Sequence, residues 1–583
     1  MATTEQATVV VDVDPAESPA SDNEVVIAEE NESREAEETE THEVLLQATV
    51  VVEVDPAESP TSDNEVVIAE ENESHEAEET ETHEVLPQAD GVVAVQDSKP
   101  KGPGFRLMSL LCLVGGLEGA DAVLLPCTLI ALQQDLGLTL NDLALMGMVQ
   151  GLAGNFAAPV WGAFADRGVM KRKSIVVIGS VIQGLITMIL AGVDSLWAMF
   201  LLRALNGIFL ASLRPIANGI VADTTVETNR GKVYGAMNIA MNVGTMLGTL
   251  IGTNLARQTV FGLQGWRVAF MIVGGLSVLV GFVAAAFMIE PPKAFAKKQE
   301  GGNAFRNELR EVWKYFRMPS FCVLILQGCF GTVPWNALGY KTLFFQLGGI
   351  KDWQASIIDV ASQIAGSMGG MIGGCVGDSL SRLSRHHGRP ITAQISVLAG
   401  IPVAWFIFMT QPPESSAFTY YLMLMIVLGL TATWCGVGVN LPILSEIVKD
   451  DRRATIMAWE GTLESSCSQI FGNSMVGLLA QSVFGYDLAN AKSLGDGHRD
   501  PANTKALGTA LMMVSFFPWM LCFVCYTLLH WSYPRDLKWL ADQDAQAKAA
   551  EAELKSVEAQ PKVEKNTEEA MTAFEENEIQ ITM

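Results

Sequence analysis

Residues 162–173 read GAFADRGVMKRK and residues 374–378 read GCVGD, and each stretch comes directly after a long apolar segment. In both stretches an aspartate follows a glycine by four residues, and these aspartates, Asp166 and Asp378, are 212 residues apart. A motif that returns after so long an interval predicts two parallel halves, each with the same loop at the same place.

A second acidic position repeats with a similar offset. Asp223 precedes Arg230 by seven residues, and Glu446 precedes Arg453 by seven residues, 223 positions further along. Two matched pairs in register indicate the internal symmetry of a transporter whose halves rock against each other.

From about residue 106, long apolar segments follow one another along the chain. A segment of about 20 helical residues crosses a hydrocarbon core of about 30 Å. We count twelve such segments, centred near residues 118, 153, 184, 209, 245, 279, 330, 366, 401, 431, 467 and 520. Because they lack the period-2 alternation of barrel strands, we predict an all-α polytopic membrane protein with twelve transmembrane helices in two pseudo-symmetric six-helix bundles.

Charge is distributed very unevenly over the 583 residues, whose net charge is −27 although 49% of them are hydrophobic. Residues 1–98 hold 29 acidic residues and one basic residue, whereas residues 99–534 have a net charge of +7. No strongly basic domain exists to neutralise phosphates, so a nucleic-acid partner is not expected.

These patterns divide the chain into five segments. Within residues 1–98, which we predict to be a disordered acidic tail, residues 6–46 recur as 47–87 with a period of 41 residues and four differences. The tail at residues 1–98 is followed by a predicted six-helix bundle at 99–289 and a cytosolic linker at 290–318. A second six-helix bundle is predicted at 319–534 and a cytosolic acidic C-terminal tail at 535–583.

Lysine and arginine predict the orientation in the membrane. They gather in the loops after even-numbered spans, while the loops between spans 1 and 2, 3 and 4, and 9 and 10 have none. Such basic loops face the cytosol, so both termini are predicted to be cytosolic.

The repeated loop residues form a predicted cytosolic gating motif. Carboxylates beside arginines can bridge neighbouring helices by charge-assisted hydrogen bonds, which would form in one orientation of the transporter and break in the other. The alternative is that these residues only make tight loops. The motif consists of Gly162, Asp166, Arg167, Lys171, Arg172, Asp223, Arg230, Asp378, Arg382, Glu446 and Arg453.

Ionisable residues within the predicted spans are the candidates for substrate and proton binding, since such residues are costly in a membrane. Glu118 and Asp121 are three residues apart and lie on one helix face, with Arg203 as a candidate counterpart. The alternative is a structural hydrogen bond for Glu118 and Asp121 and a structural ion pair for Arg203. Asp359 and Glu464 are further candidates. Polar residues that could line the cavity are Asn238, Asn242, Asn336 and Gln363.

Residues 100–535 resemble the major facilitator superfamily. The stretch from Gly162 to Lys173 is similar to that superfamily's signature between helices 2 and 3, and Arg203-x3-Gly207 is similar to its helix 4 signature. Within the superfamily the chain most resembles the Spinster-like branch, in Glu118-Gly-Ala-Asp121, in Gly265-Trp-Arg267-x-Ala-Phe270, and in Asn440-x-Pro442-Ile-Leu-Ser-Glu446. The resemblance implies a lipid-like or amphiphilic organic substrate, with a sugar or an organic anion as alternatives.

No enzyme signature accompanies these features. The chain has neither a His-Glu-x-x-His motif nor a glycine-lysine nucleotide loop, so we expect no enzyme activity, no cofactor and no metal. We predict a monomeric secondary or facilitative transporter of a small organic solute that works by alternating access, with proton coupling as an added hypothesis. The alternative is a non-transporting membrane sensor or scaffold whose acidic tail recruits partners.

Overall fold

The computed structural model describes residues 104–166, 168–225, 227–290, 310, 313–448 and 453–559. These ranges are almost entirely helical. The predicted tail at 1–98 and most of the predicted linker at 290–318 lie outside them.

The first half contains six membrane helices. They are α1 (Phe105–Leu136), α2 (Leu140–Asp166), α3 (Arg172–Leu190), α4 (Leu196–Leu210, continued by Leu213–Thr224), α5 (Glu227–Ala256) and α6 (Gly265–Phe287). A small antiparallel hairpin of β1 (Thr259–Val260) and β2 (Leu263–Gln264) joins α5 to α6. Its turn residues Phe261 and Gly262 have φ angles of 50° and 78°, which a two-residue hairpin turn of this kind requires.

The second half repeats this arrangement with more irregular helices. Four of its helices are α8 (Asp352–Leu383), α9 (Gly388–Met409), α10 (Glu414–Ala432, a π-helical turn Gly436–Asn440, then Leu441–Ile447) and α12 (Pro501–Ala559). The other two are α7 (Pro319–Gly331, Val333–Ala337, a 3₁₀ turn Leu338–Tyr340, then Lys341–Leu347) and α11 (Arg453–Ser468, Ser474–Leu478, and the π-helical turns Gln469–Asn473 and Leu479–Val483). A short helix, Leu488–Lys492, precedes α12, which continues unbroken past residue 535.

Both halves pair their helices in the same order. In the first half α1 packs on α5, α2 on α4 and α3 on α6, and in the second half α7 packs on α11, α8 on α10 and α9 on α12. The two halves meet where α5 contacts α8 and α2 contacts α11. This repetition is the internal symmetry that the loop motifs predict.

Glycines allow close backbone contact in several of these helix pairs. A Cβ atom on Gly244 of α5 would lie 1.8 Å from the backbone oxygen of Gly116 in α1. In the second half a Cβ on Gly369 of α8 would lie 2.3 Å from the backbone oxygen of Gly429 in α10. Small residues therefore let backbones touch, which is how helices associate where lipid removes the hydrophobic drive for packing.

Ten of the helical stretches within the described residues are long and apolar enough to cross a membrane. The two remaining helices, α8 and α11, fall short because they carry polar residues such as Asp359 and Glu464. These are two of the helices that contact the opposite half, so their polar residues can face the protein interior, where membrane proteins tolerate them.

The buried apolar residues show where the halves join. We call the end of the bundle at which α1 begins the terminal face and the opposite end the distal face. Near the distal face, residues of the first half such as Ile130 and Trp266 belong to one core cluster with Leu347 of the second half. Near the terminal face the first half has a separate cluster that includes Leu111 and Ile175. The halves therefore share a core at the distal end.

Candidate functional site

A cavity of about 280 Å³ lies between the two halves. Its walls come from α1 and α5 of the first half and from α7, α8 and α10 of the second. The lining residues are Val123, Pro126, Cys127, Thr249, Trp335, Leu338, Gly339, Lys341, Thr342, Asp359, Ser362, Gln363, Gly366, Met425, Leu428, Gly429 and Thr433. We call this space the central cavity. Two predicted residues, Asp359 and Gln363, are in its wall.

The irregular middle of α7 shapes one side of the central cavity. Pro334 has no backbone N–H and cannot continue a regular hydrogen-bonded helix, and α7 changes to a 3₁₀ turn shortly after it. This segment brings Trp335, Leu338 and Lys341 to the cavity. Irregular backbone at membrane depth is tolerated where it is buried in protein or lines a cavity, and substrate sites of transporters are often built on such discontinuous helices.

A charged pair lies in the same wall. The Lys341 Nζ atom is 2.6 Å from the Asp359 Oδ1 atom. Thr342 donates a hydrogen bond to the other carboxylate oxygen, Oδ2. Both side chains are largely buried, with exposed fractions of 18% for Lys341 and 6% for Asp359. The lysine of α7 and the aspartate of α8 thus hold opposite charges side by side at the cavity.

A second pocket of about 330 Å³ lies between α7 and α11. Glu464, Asn336 and Ser468 line it together with Trp335, which also lines the central cavity. Asn336 donates from Nδ2 to the Ser468 Oγ atom at 2.6 Å. Gly328 leaves room for the acid, since a Cβ there would lie 1.5 Å from the Glu464 Oε1 atom.

In the first half, Asp121 belongs to a buried polar network. Thr187 of α3 donates to Asp121 Oδ1 at 2.7 Å, and Asn206 of α4 donates to Thr187 Oγ1 at 2.9 Å. Gln150 of α2 donates to Asn206 Oδ1 at 2.7 Å and accepts from Arg203 Nη1 at 3.2 Å. Asp121 and Arg203 are therefore connected through three intervening side chains rather than by a direct contact.

This network keeps unused hydrogen-bonding capacity. Among the described residues, neither Asp121 Oδ2 nor the Nε and Nη2 atoms of Arg203 has a hydrogen-bond partner, although these atoms are buried. The Arg203 guanidinium lies over the ring of Phe270, 5.2 Å from its centroid. A buried carboxyl with a free oxygen is a suitable place for a proton, because neutralising the group removes the cost of burying its charge.

Glu118 has a different environment from Asp121. Its Oε1 atom is 3.2 Å from Arg214 Nε, in the second part of α4. Arg214 is about half exposed, and it also contacts the sulfur of Met241. The arginine beside Glu118 is thus Arg214, while the predicted counterpart, Arg203, joins the Asp121 network.

Ionic contacts close the distal face between the halves. Arg257 of α5 donates from Nε and Nη2 to the two carboxylate oxygens of Asp352 at the start of α8, each at 2.9 Å. Its Nη2 atom also lies 2.7 Å from Asp496, which precedes α12. Gln346 at the end of α7 donates to Asp352 at 2.8 Å. We call Arg257, Asp352 and Asp496 the distal latch.

The segment between α11 and α12 adds further distal contacts to α1. Gln134 donates to the backbone oxygen of Leu494 at 2.8 Å. Tyr486 donates to Gln133 Oε1 at 2.8 Å, and burial raises the pKa of its hydroxyl above the ordinary value, so the group remains a donor. These bonds hold the first half against the second at this face.

The terminal face has matching contacts inside each half. Arg172 at the start of α3 pairs with Asp223 at the end of α4 and donates to the Gly219 backbone oxygen at 3.0 Å. In the second half, the Nη1 atom of Arg389, at the start of α9, donates to the Gly438 backbone oxygen of α10 at 3.0 Å. Each half therefore ties its third helix to its fourth by an arginine.

Arg389 also joins the two predicted acidic residues of its half. Its Nη2 atom is 3.1 Å from Asp378 Oδ1, and its Nε atom is 3.9 Å from Glu446 Oε1. Asp378 lies within α8, five residues before its end at Leu383, rather than at the helix–loop junction where we expected it. The sequence pattern identified both acids but not Arg389, which begins α9 between the helices of Asp378 and Glu446.

The structure places the other predicted residues as follows. Arg453 donates to the Ser445 backbone oxygen at 2.7 Å, and Lys171, Arg382 and Asn238 are exposed. Gly162 lies in α2, where a Cβ would meet nothing within 4 Å. Asn242 of α5 donates to Ser367 of α8 at 3.5 Å, and Gln363 donates to Thr249 at 3.4 Å, so both connect the halves. Arg167 and the side chains of Asp166 and Arg230 lie outside the described residues.

Several residues of these sites were not identified from the sequence. They are Lys341 and Thr342 at the central cavity, Gln150, Thr187, Asn206 and Arg214 in the first half, Arg257, Asp352 and Asp496 of the distal latch, and Arg389. Lys341 could have been identified from the sequence, because a charged residue within a predicted membrane span indicates a functional site.

Two pseudo-symmetric helical bundles with a cavity between them are typical of polytopic membrane transporters. A family model described as "Major Facilitator Superfamily" matches residues 111–472, and the chain belongs to this family. The protein is therefore a multi-pass integral membrane protein with the transporter fold of that family.

Individual relatives are distant. The chain is 24% identical over 446 residues to an MFS-type efflux pump of Mycolicibacterium smegmatis, a match that covers 74% of this chain and 93% of the pump. It is 27% identical over 195 residues to the quinolone resistance protein NorA of Staphylococcus aureus, covering 33% of this chain and 47% of NorA.

Solved structures show the same fold at low sequence identity. A bacterial homologue of the human lysosomal transporter Spinster, in an inward-facing and unoccupied conformation, matches with a TM-score of 0.63 at 18% identity, over 75% of this chain and 99% of that one. The nucleoside transporter NupG matches with a TM-score of 0.55 at 17% identity, over 73% of this chain and 98% of that one. The Spinster-like likeness agrees with the resemblance in the sequence.

Proposed function

We propose that this membrane transporter moves a small organic solute by alternating access and couples the movement to protons through Asp121. The observation that supports this most is the central cavity, which lies between two halves that ionic contacts hold together at the distal face. A solute bound there would be released to one side or the other as the halves rock. The cavity walls are mainly apolar, which suits an amphiphilic solute.

Asp121 is the better proton site of the two carboxyls on α1. It is almost completely buried, and one of its oxygens has no partner among the described residues, whereas Glu118 pairs with a half-exposed arginine. The link from Asp121 to Arg203 crosses α1, α2, α3 and α4. A change of charge on Asp121 would therefore affect contacts among four helices of the first half.

The cytosolic side is proposed from the basic loops. The terminal face carries Lys171, Arg172, Lys173, Arg382 and Arg389, and basic loops of this length face the cytosol. Both termini are accordingly proposed to be cytosolic, and the distal face would be the opposite one.

The test uses purified protein in proteoliposomes. A thermal-shift screen of organic solutes first identifies a ligand, because a ligand that binds the folded state raises the melting temperature. Counterflow of that labelled ligand then tests transport, and binding without counterflow would instead favour a sensor or scaffold.

Proton coupling is tested with Asp121→Asn. We expect this variant to keep counterflow but to lose at least about tenfold of the accumulation driven by a pH gradient, a difference of about 1.4 kcal/mol. Glu118→Gln separates the two acids, and Asp194→Asn, a highly exposed residue of the distal face, is the control. Wild-type accumulation in Asp121→Asn would disprove coupling through Asp121, and a loss in Glu118→Gln alone would assign the coupling to Glu118 instead.

A further inference from the structure

The charged pair of the central cavity has two properties that bear on the substrate. Lys341 is the one cation and Asp359 the one anion among the described residues that line the central cavity. They belong to adjacent helices, α7 and α8, and their charged atoms are 2.6 Å apart. The cavity thus presents a positive and a negative group at one place in an otherwise mainly apolar wall.

An ion pair of this kind does little to stabilise a fold. A buried ion pair contributes little or nothing compared with apolar residues of similar size, because both ions lose their hydration. Removing one partner alone is strongly destabilising, since the other charge is then buried without compensation. The position of Lys341 and Asp359 in a cavity wall is better explained by a ligand that uses both charges.

Because a buried charge needs a partner, solutes of different charge should bind this pair with different affinities. An anion that binds Lys341 displaces Asp359 and leaves its charge without a cation, and a cation that binds Asp359 leaves Lys341 without an anion. A neutral solute leaves the pair closed and gains nothing from it. A zwitterion can place its anionic group on Lys341 and its cationic group on Asp359, so every charge keeps a partner.

The size of the cavity limits the rest of the solute. Its volume of about 280 Å³ is just below the range of about 300–1,000 Å³ that is usual for small-molecule sites. Leu338, Met425 and Leu428 provide apolar surface beside the charged pair, and Trp335 adds an aromatic ring. A compact body with an apolar side group fits this space.

We propose that Lys341 and Asp359 form the head-group site for a compact zwitterion, an apolar amino acid or a molecule of similar size. The carboxylate of the ligand binds the Lys341 ammonium, its own ammonium binds the Asp359 carboxylate, and the apolar group lies against Leu338, Met425 and Trp335. This rests on the proposed transport function and specifies the class of its substrate.

Four probes that share one phenyl ring test the charge requirement. They are phenylalanine, 3-phenylpropionate, 2-phenylethylamine and 3-phenylpropan-1-ol, titrated calorimetrically into the purified full-length protein. Phenylalanine is expected to bind at least about tenfold more tightly than each of the other three, which corresponds to about 1.4 kcal/mol. Equal binding of the four probes, or no binding of phenylalanine, would overturn the proposal.

Neutral variants test the assignment of each charge. Lys341→Gln leaves Asp359 alone, so 2-phenylethylamine should become the tightest probe. Asp359→Asn leaves Lys341 alone, so 3-phenylpropionate should become the tightest. The double variant Lys341→Gln/Asp359→Asn has no uncompensated charge and should fold while showing no preference among the probes. If the single variants retain the wild-type order of affinities, the two residues are not the head-group site.

Flux measurements separate this site from the transport function. Phenylalanine binding without counterflow in proteoliposomes would refute transport and leave the site intact. Counterflow of another solute, unaffected in the double variant, would refute the site and leave transport intact.

Discussion

A substitution in the distal latch tests the proposed opening and closing of the distal face most clearly. Replacing Arg257 by Gln removes the charge that binds both oxygens of Asp352 across the two halves. The two side chains are only 8% and 6% exposed, so the contact is largely shielded from water. Opening of the distal face separates α5 from α8 and breaks this contact, which means that its loss should favour the open state.

The change in the free-energy difference between the closed and open states can be derived from the contacts of Arg257. Truncating one partner of a buried, hydrogen-bonded charge pair across an interface costs about 2–5 kcal/mol. Gln346 still donates to Asp352 in the variant, so we take the lower end. A change of about 2 kcal/mol moves the ratio of closed to open molecules by about thirtyfold toward the open state.

Spin-label distances measure this ratio. Phe261→Cys in the hairpin of the first half and Gln411→Cys before α10 are both exposed on the distal face, and the native cysteines are replaced. Arg257→Gln should add a population with a longer distance between the labels. Arg267→Gln is the matched control, because it removes distal contacts to Asp135 and Asp194 that lie within one half. An unchanged distance distribution in Arg257→Gln, or the same change in the control, would show that the distal latch does not hold the two halves closed.

The remaining predictions concern stability within each half. Gly244→Val should lower the melting temperature by an amount that corresponds to about 1–3 kcal/mol, because its side chain would meet the Gly116 backbone, whereas Gly235→Ala, with open space around it, should have little effect. Arg172→Gln should cost about 1–3 kcal/mol because it leaves the largely buried Asp223 carboxylate without its cation. Arg389→Gln should cost less, since its partners Asp378 and Glu446 are exposed to water, and exposed Arg382→Gln should cost least. Equal melting temperatures of the two glycine variants, or of Arg172→Gln and Arg382→Gln, would contradict the contacts described.

Helix packing was the most predictable part of the fold. The spacing Gly244-x3-Gly248-x3-Gly252 predicts a face of small residues for close helix contact, and all three glycines pack against α1, at Gly116, Ala120 and Cys127. A four-residue spacing puts the three glycines on one helix face whatever the rest of the fold does, so their shared orientation could be predicted from the sequence alone.

Partner identity was less predictable. Matched offsets identified Asp223 and Glu446 as equivalent, and the structure pairs them with Arg172 and Arg389, which begin α3 and α9. Arg172 and Arg389 are each more than 50 residues away from the acid they contact, and the packing of neighbouring helices brings them together. A single sequence contains no measure of that packing.

Lys341 shows why the cavity itself was harder to predict. It follows the centre of its predicted span by about 11 residues, or about 17 Å, where a lysine is expected to extend to the membrane interface. The irregular turns of α7 after Pro334 instead place it beside Asp359 in the cavity wall. Such a local change of helix geometry depends on tertiary packing more than on periodicity.

Side-resolved labelling of the central cavity tests alternating access most directly. Gln363→Cys, in a chain without its native cysteines, introduces one thiol in the cavity wall, and a membrane-impermeant thiol reagent is applied to either side of oriented proteoliposomes. Alternating access should allow labelling from both sides. A disulfide between Asn254→Cys and Ser356→Cys, whose native side chains are 3.0 Å apart across the halves, should block labelling from the distal side only. Labelling confined to one side without that disulfide would contradict alternating access.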